Sequence, residues 1–376
     1  MAHDAGTFHV DLLVGGRSLR VDEDGIIDFV YFEHIYGSAQ FILHCDKANW
    51  QDFDQVITNP DTDILVRWGF AVGGQRTDSD WRHVDASFLR IRYSPTNAEI
   101  FLEGLDLGQQ LNESFRDSKS YKDMSISDMV SDIASNVGIT AEVESTKGKY
   151  HIMQGNLPDA WFIKYVLLPR AVSQGGDPNY YFFIADGNKL VFKPPTLAGS
   201  GTSFVLTVAP EEEEPNNIRL LELEYRRVTL GPLGGLSTEV RGFDPIKVKP
   251  VSFKADDNTV NFKKLSSKGP SLPQEPARVW LTTAPYFPKY EEEDVENTAK
   301  AIWGANARTL YRVTIDVSPQ VKLKPFTVSS LDITDQDGRP HFTTGKYLVR
   351  GVKQRITGGE FRTIVYLERR TSQRGG

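Results

Sequence analysis

Residues 118 to 140 read SKSYKDMSISDMVSDIASNVGIT, and they interrupt the pattern on either side of them. Ile126, Met129, Val130, Ile133, Ala134 and Val137 recur at i, i+3, i+4, i+7, i+8 and i+11, one apolar stripe of an α-helix. Ser125 stands where the first free amide groups need an acceptor, with Asp128 three residues on in the S-x-x-[DE] capping pattern. Gly138 supplies the left-handed backbone that ends such a helix. The stripe is that of a short amphipathic helix packing one face on a core. Set in a chain that is otherwise β-patterned, it marks a joint between two pieces.

Residues 7 to 105 alternate like sheet. FHVDLLVGG, IIDFVYFEHIY, AQFILHCD, DILVRWGFAV, ASFLRIRYS and AEIFLEGLD are rich in branched and aromatic residues, and Gly, Asp, Asn and Pro separate them. The DEDG around Asp24 and Gly25 reads as a turn. After the quoted helix, DAWFIKYVLL (Asp159 to Leu168) predicts a second helix stopped by Pro169. NYYFFIADGNKLVFKPP then predicts a hairpin turning at Ala185–Asn188. The acidic run Glu211–Glu214 before Pro215 reads as a solvated linker. Strand patterning returns at IRLLELEYRR and LSTEVRGFDP. A third helix fits Glu291 to Ala307, with Val295, Thr298, Ala299, Ile302 and Trp303 on one stripe and Arg308 in its last turn. TLYRVTIDV, PFTVSSLDI, GKYLVRGVKQRI and EFRTIVYLERR close the chain as strands, with turns at Asp337-Gly338 and Gly358-Gly359 and a frayed TSQRGG tail. Glu103-Gly104-Leu105-Asp106 and Arg241-Gly242-Phe243-Asp244 each end a strand alike, a four-residue echo of duplication or chance.

The 376 residues suit two to four domains, and 39% apolar with 11% aromatic content is ample for folded cores. A net charge of −7 argues against non-specific nucleic-acid grip. The single cysteine excludes an internal disulfide. No signal-peptide pattern and no run near 18 apolar residues predict a soluble protein made in a reducing cytosol.

A search for chemistry returns nothing. The seven histidines, at 3, 9, 34, 44, 83, 151 and 341, show no metal-ligand spacing. His44 and Cys45 are strand neighbours, so they point to opposite faces and cannot form a dyad. Gly199-Ser200-Gly201-Thr202 matches neither a phosphate loop nor a nucleophile elbow. Asp332, Asp335 and Asp337 before Gly338 lack the register and closing Glu of a calcium loop. Glu222 and Glu224 are read as exposed strand positions. No catalytic, cofactor-binding or metal residue is assigned. Subunit contacts are expected on edge strands and barrel flanks, with no residues named.

Three ordered stretches resemble the central baseplate hub family of contractile phage tails, the late control protein D and VgrG-hub group. The first comprises Arg116, Ser120, Tyr121, Ser125, Ile126, Asp128, Met129 and Val130, running on to Gly138-Ile139. The second comprises Asp159, Phe162 and Ile163, then Tyr181, Phe182, Asp186-Gly187, Leu190 and Phe192. The third comprises Gly345, Tyr347, Val349, Val352, Ile356, Gly359, Phe361 and Thr363. Together they span most of residues 106 to 370; the first 105 fit by character. Two departures are the Leu167-Leu168-Pro169-Arg170 break and the lack of a spike repeat.

The resemblance implies a mainly β fold with α+β insertions. One tail-tube-like β-barrel would occupy 1–105, an inserted α/β module 106–215, and a second barrel 216–245 with 308–370. Residues 246–307 would form an irregular excursion ending in a helix. It implies no enzyme and no cofactor, but a homotrimeric hub joining the hexameric tail tube to a separate central spike protein. Wedge proteins are further implied partners, bound where the insert stands outside the ring, and the tape measure protein is a possible one. DNA would pass the lumen without specific binding, an acidic chain being compatible with sliding, and no stable membrane association is implied. The expected location is the virion tail baseplate, after synthesis in the bacterial host cytoplasm. The alternatives are a hexameric tube-like baseplate or tail-tip part and a β-rich glycan hydrolase.

Overall fold

The computed structural model describes residues 7–46, 59, 62–93, 98–114, 119–196, 202–206, 217–225, 238–244, 247–255, 259, 292–307, 311–334, 341 and 343–369. Arg116, Gly199–Gly201, the acidic run with Pro215, Arg308, Asp335, Asp337, Gly338 and the tail lie outside the described residues. So does most of the expected excursion.

Eight strands come from the first region: β1 (Thr7–Val14), β2 (Arg17–Asp22), β3 (Ile26–His34), β4 (Gln40–Asp46), β5 (Ile64–Val72), β6 (Gln75–Asp78), β7 (Arg82–Tyr93) and β8 (Ala98–Leu105). Gly15-Gly16 and Gly73-Gly74 all take positive φ, the geometry of two-residue hairpins, so the chain doubles back at once into β2 and β6.

The insert follows with α1 (Gly108–Glu113), β9 (Ser120–Met124), α2 (Ile126–Val137), β10 (Thr140–Val143) and β11 (Tyr150–Met153). α2 matches the expected helix. The Ser125 hydroxyl accepts from the Asp128 amide at 3.1 Å, and Gly138 ends the helix at φ 79°. Its stripe is buried, in a core that also holds Tyr121 stacked on Phe162. The next helix, α3 (159–170), departs from expectation. It opens as α over Asp159–Trp161, widens to a π-helix over Phe162–Leu167 and tightens to a 3-10 turn at Leu168–Arg170. In regular α geometry the Pro169 ring would strike the Tyr165 carbonyl. The changed pitch carries the chain past the proline instead of stopping at it. β12 (Tyr181–Ala185) and β13 (Lys189–Lys193) form the expected hairpin, turning through Asp186 and Gly187 at positive φ, and β10 lies parallel to β13.

The remaining strands are β14 (Ser203–Leu206), β15 (Ile218–Tyr225), β16 (Thr238–Asp244), β17 (Lys249–Ala255), β18 (Tyr311–Val317), β19 (Val328–Ile333), β20 (Gly345–Thr357) and β21 (Glu360–Arg369), with α4 (Glu292–Ala307) before β18. Two placements correct the sequence expectations. β14 does not belong with the insert, because it pairs with β19 and buries Phe204 in the core of the second β region. β16 does not join that region either: it pairs with β17, and Val240, Val251 and Ala255 close a small core with Val295, Ala299 and Trp303 of α4. Among the described residues from 238 to 307, a β-hairpin is roofed by the helix expected at the end of the excursion. α4 docks on the insert through Arg170–Asp294 at 3.3 Å and an Asn297 amide donating to the Tyr150 hydroxyl at 3.0 Å.

The dominant feature is one sheet of 14 strands with the order β15-β18-β21-β20-β3-β4-β8-β7-β5-β1-β2 and β6, β14 and β19 branching from it. The order repeats. β15-β18-β21-β20-β19-β14 in the second region matches β3-β4-β8-β7-β5-β1 in the first. The match extends to detail, since both long strands carry a bulge against their hairpin partner, between Ala86 and Phe88 and between Val349 and Gly351. Each long strand also gives only its first residues to the branching strand, Arg82–Val84 to β5 and Gly345–Leu348 to β19. One departure is that β1 is antiparallel to β5 whereas β14 is parallel to β19.

The fold is thus mainly β, two strand sets of matching order in one large sheet with an α/β module inserted between them. β20 pairs antiparallel with β3 to join the two repeats into one arc. The Gly104 and Gly242 echo has no part in this repeat, since Gly242 lies in the separate β16–β17 hairpin.

Candidate subunit interface

An arc of eight strands, β15-β18-β21-β20-β3-β4-β8-β7, has one face on the cores and one open. On the core side alternate residues are buried: Phe29 and Tyr31 on β3, Leu43 and Cys45 on β4, Val352 and Ile356 on β20, Val365 and Leu367 on β21. The residues between them form the open face, as the period-two geometry of strands requires. Cys45 lies on the core side, its thiol pushed up to about 12 by burial, while His44 opposite bonds Glu99. The expectation that the two cannot meet holds.

The open face carries charges of both signs. It carries Arg90, Arg92, Lys353, Arg355 and Arg362 beside Asp28, Glu99 and Asp316. Many of these charges neutralise each other. Arg92 meets Glu99 at 2.9 Å, Arg355 meets Asp28 at 3.7 Å, and Arg362 meets Asp316 at 3.1 Å.

The two ends of the arc are edges. Among the described residues, Leu220–Tyr225 of β15 has a ladder partner on the β18 side alone, and Ser87–Tyr93 of β7 on the β8 side alone. Exposed backbone edges of this length are templates for another strand unless they are covered. Glu222 and Glu224 are exposed on the β15 edge, as the sequence indicated, and Arg90 and Arg92 are exposed on the β7 edge. On the core side of the same edges stand half-buried Leu221 and Leu223, and half-buried Leu89 and Ile91.

At the opposite rim from the β20–β21 turn, a polar junction ties the insert to both β regions. Arg82, 2% exposed, lies 3.1 Å from Asp186 and 3.6 Å from Glu33. The Glu33 carboxylate accepts from the Asp186 amide at 3.1 Å, and Lys324 binds Asp186 at 3.1 Å and Asp80 at 2.7 Å. Burial raises the Glu33 carboxyl, with Arg82 opposing. Tyr36 and Tyr181 both donate to the buried Glu368 carboxylate, at 2.7 Å and 3.0 Å. Sequence reasoning missed this junction because its members lie far apart in the chain. The one available signal was charged residues at inward strand positions, such as Glu33 and Arg82.

Asp106 belongs to the same rim. It accepts from the Ala39 and Gly108 amides, and burial pushes its carboxyl up to about 7 against those bonds. The unfolded chain titrates near the ordinary carboxylate value, so between about pH 4 and 7 the folded state holds the extra proton. Stability is therefore expected to fall as pH rises through that window, by at most about 1.4 kcal/mol per pH unit from this group. Thermal midpoints at pH 5 and pH 7 check this, and Asp106→Asn should flatten the dependence.

The insert has an exposed face of its own. Trp161 and Tyr165, each 54% exposed, pack with centroids 4.8 Å apart on α3. Beside them is a cavity of about 220 Å³ whose lining includes Tyr36, Leu111, Lys164 and Phe182 and holds no carboxylate. Among the described residues there is no cluster of three metal-ligating side chains and no helix long and apolar enough to cross a membrane.

No family model and no curated protein matches the sequence. Solved structures do match the fold. A tail protein from Neisseria meningitidis is similar at 12% identity and TM-score 0.64, over 96% of each chain. The 43 kDa tail protein of a Shewanella oneidensis prophage is similar at 12% identity and TM-score 0.60, over 96% of this chain and 98% of that one. A component of the Escherichia coli type VI secretion system, itself described as structurally similar to bacteriophage tail proteins, matches at 11% identity and TM-score 0.54 over 97% of this chain and 78% of that one. What the chain shares with these proteins is the fold of phage tail proteins.

Proposed function

We propose that the chain is the structural hub of a contractile phage tail baseplate, a trimeric ring between the hexameric tail tube and a separate central spike protein. The observation that carries this reading is the six-strand unit repeated inside one polypeptide. Three copies present six such units, so a threefold ring can meet a sixfold tube without breaking either symmetry. The arc's open face would line the lumen. Its interleaved and paired charges offer DNA no continuous positive track, and a phosphate backbone is held by such tracks. The insert, with Trp161 and Tyr165 exposed, would stand where wedge proteins bind. The protein would act in the virion tail after synthesis in the host cytoplasm, and it would have no catalytic role.

Light scattering of the purified protein over a range of concentrations tests this. The expected mass is three times the 42.2 kDa chain. Six times that mass would replace the hub with a tube-like baseplate or tail-tip part.

A further inference from the structure

The internal seam between the repeats shows how one unit accepts the next. β20 is flanked on one side by β21 and on the other, past its first residues, by β3. β7 is the equivalent of β20. It has β8 on one side, β5 on its first residues, and an open edge from Ser87 onward among the described residues. β15 is the equivalent of β3, the strand that fills the matching place in the internal seam. We infer that β15 of a second copy pairs antiparallel with β7 and that this contact closes the ring. The inference rests on the ring reading and adds to it a surface, a partner strand and a register.

The register follows from the ladders. The two bulges place Ser87 on Arg350, and hence Arg90 on Lys353, Ile91 on Gln354 and Arg92 on Arg355. Stepping across each unit in the same way places Glu224 on Phe32, Leu223 on Tyr31 and Glu222 on Val30. In the internal seam Lys353 faces Phe32, Gln354 faces Tyr31 and Arg355 faces Val30. Carried to the open edges, Arg90 faces Glu224, Ile91 faces Leu223 and Arg92 faces Glu222.

No charge was used to set that register, yet it brings each arginine opposite a glutamate and one half-buried aliphatic side chain opposite another. A slip of one residue would send the charges into the core and the aliphatics onto the open face. Opposite charges in directly facing positions favour this pairing, and like charges there would oppose it. Arg92 already meets Glu99 on its own strand pair and would share its guanidinium between the two carboxylates. The edge is heterologous, acidic on one side and basic on the other, so copies join head to tail and the ring closes without a twofold contact.

The test uses the full chain and three variants. R90E/R92E and E222R/E224R each put like charges across every seam, and light scattering should show the mass fall threefold, to the monomer. The variant with all four changes restores opposite charges and should recover the trimer. Mixing the two singly reversed proteins satisfies every seam only in even-membered rings, so it should not restore a trimer. Circular dichroism unchanged from the parent confirms that each variant folds. Separately, Arg92→Cys with Glu222→Cys should give an oxidised ladder ending at three chains on a denaturing gel, since Cys45 is buried. A parent trimer that keeps its mass in both reversed variants and forms no cross-link overturns the seam and leaves the ring. A parent that is monomeric at every concentration, with no cross-link, overturns both.

Discussion

Arg82→Ala is expected to destabilise the protein by about 3–5 kcal/mol, the loss that follows when one member of a buried ion cluster is removed and the others stay. The guanidinium lies between Glu33 and Asp186, donates to the Trp81 carbonyl at 3.3 Å and faces the Trp68 ring. Burial works against its charge, but Glu33 leads the groups that hold it protonated. Without it, Glu33 is left in a buried site with one opposing charge fewer. A carboxylate whose folded pKa is raised withdraws stability as pH rises above its unfolded value. Losing Arg82 raises Glu33 further, so the deficit should be larger at pH 8 than at pH 5. Denaturation midpoints at both pH values measure it. Adding Glu33→Gln should return part of the loss at pH 8 and little at pH 5. An equal deficit at both pH values would assign the effect to lost packing alone.

Gly187→Ala is expected to cost about 2–5 kcal/mol, the sum of left-handed strain and overpacking. Gly187 sits at φ 79° on the β12–β13 turn, and a Cβ there would lie 2.2 Å from the His83 carbonyl oxygen and 2.7 Å from its amide nitrogen. Both are backbone atoms of β7, so no side chain can swing aside. The same turn accepts the Leu107 amide at 2.9 Å, so the clash falls where the insert is fastened to the first β region. Gly73 is the control. It has a similar φ of 56° with open space around its missing Cβ, and Gly73→Ala should cost only about 1 kcal/mol. Thermal midpoints of the two variants separate strain from collision. Equal losses would mean that the hairpin tip can withdraw from β7.

Local pattern carried much of the fold into the sequence. The α2 cap, stripe and terminating glycine, the β12–β13 hairpin and the stripe of α4 were all legible, because each depends on residues within a few turns of one another. The partners of β14 and β16 were not legible. Residues such as Phe204 and Val240 alternate equally well against any sheet, and only the three-dimensional chain decides which core they enter. The duplication was sought in a four-residue echo and is present instead as strand order and matched bulges. Those features survive changes of side chain as long as inward positions stay apolar. Glu222 and Glu224 read as solvated strand charges for the same reason, and Arg90 and Arg92 carried no signal at all. Their meaning lies in being at the two edges of one arc, and edge position leaves no mark in a one-dimensional pattern.

The pairing of β3 with β20 joins the beginning of the chain to its end, Val30 to Arg355 and Phe29 to Ile356. On a ribosome adding ~5–20 residues per second, the growing chain exposes the β3 edge for roughly 15–60 s before its partner emerges. The first repeat can gather its own core in that interval, yet it must wait with a long, aromatic-bearing strand uncovered. A polysome making many copies holds such edges close together, each matched in shape to a strand not yet made. Premature pairing between nascent chains is therefore the characteristic hazard of this topology, and emergence of β20 is the event that ends it.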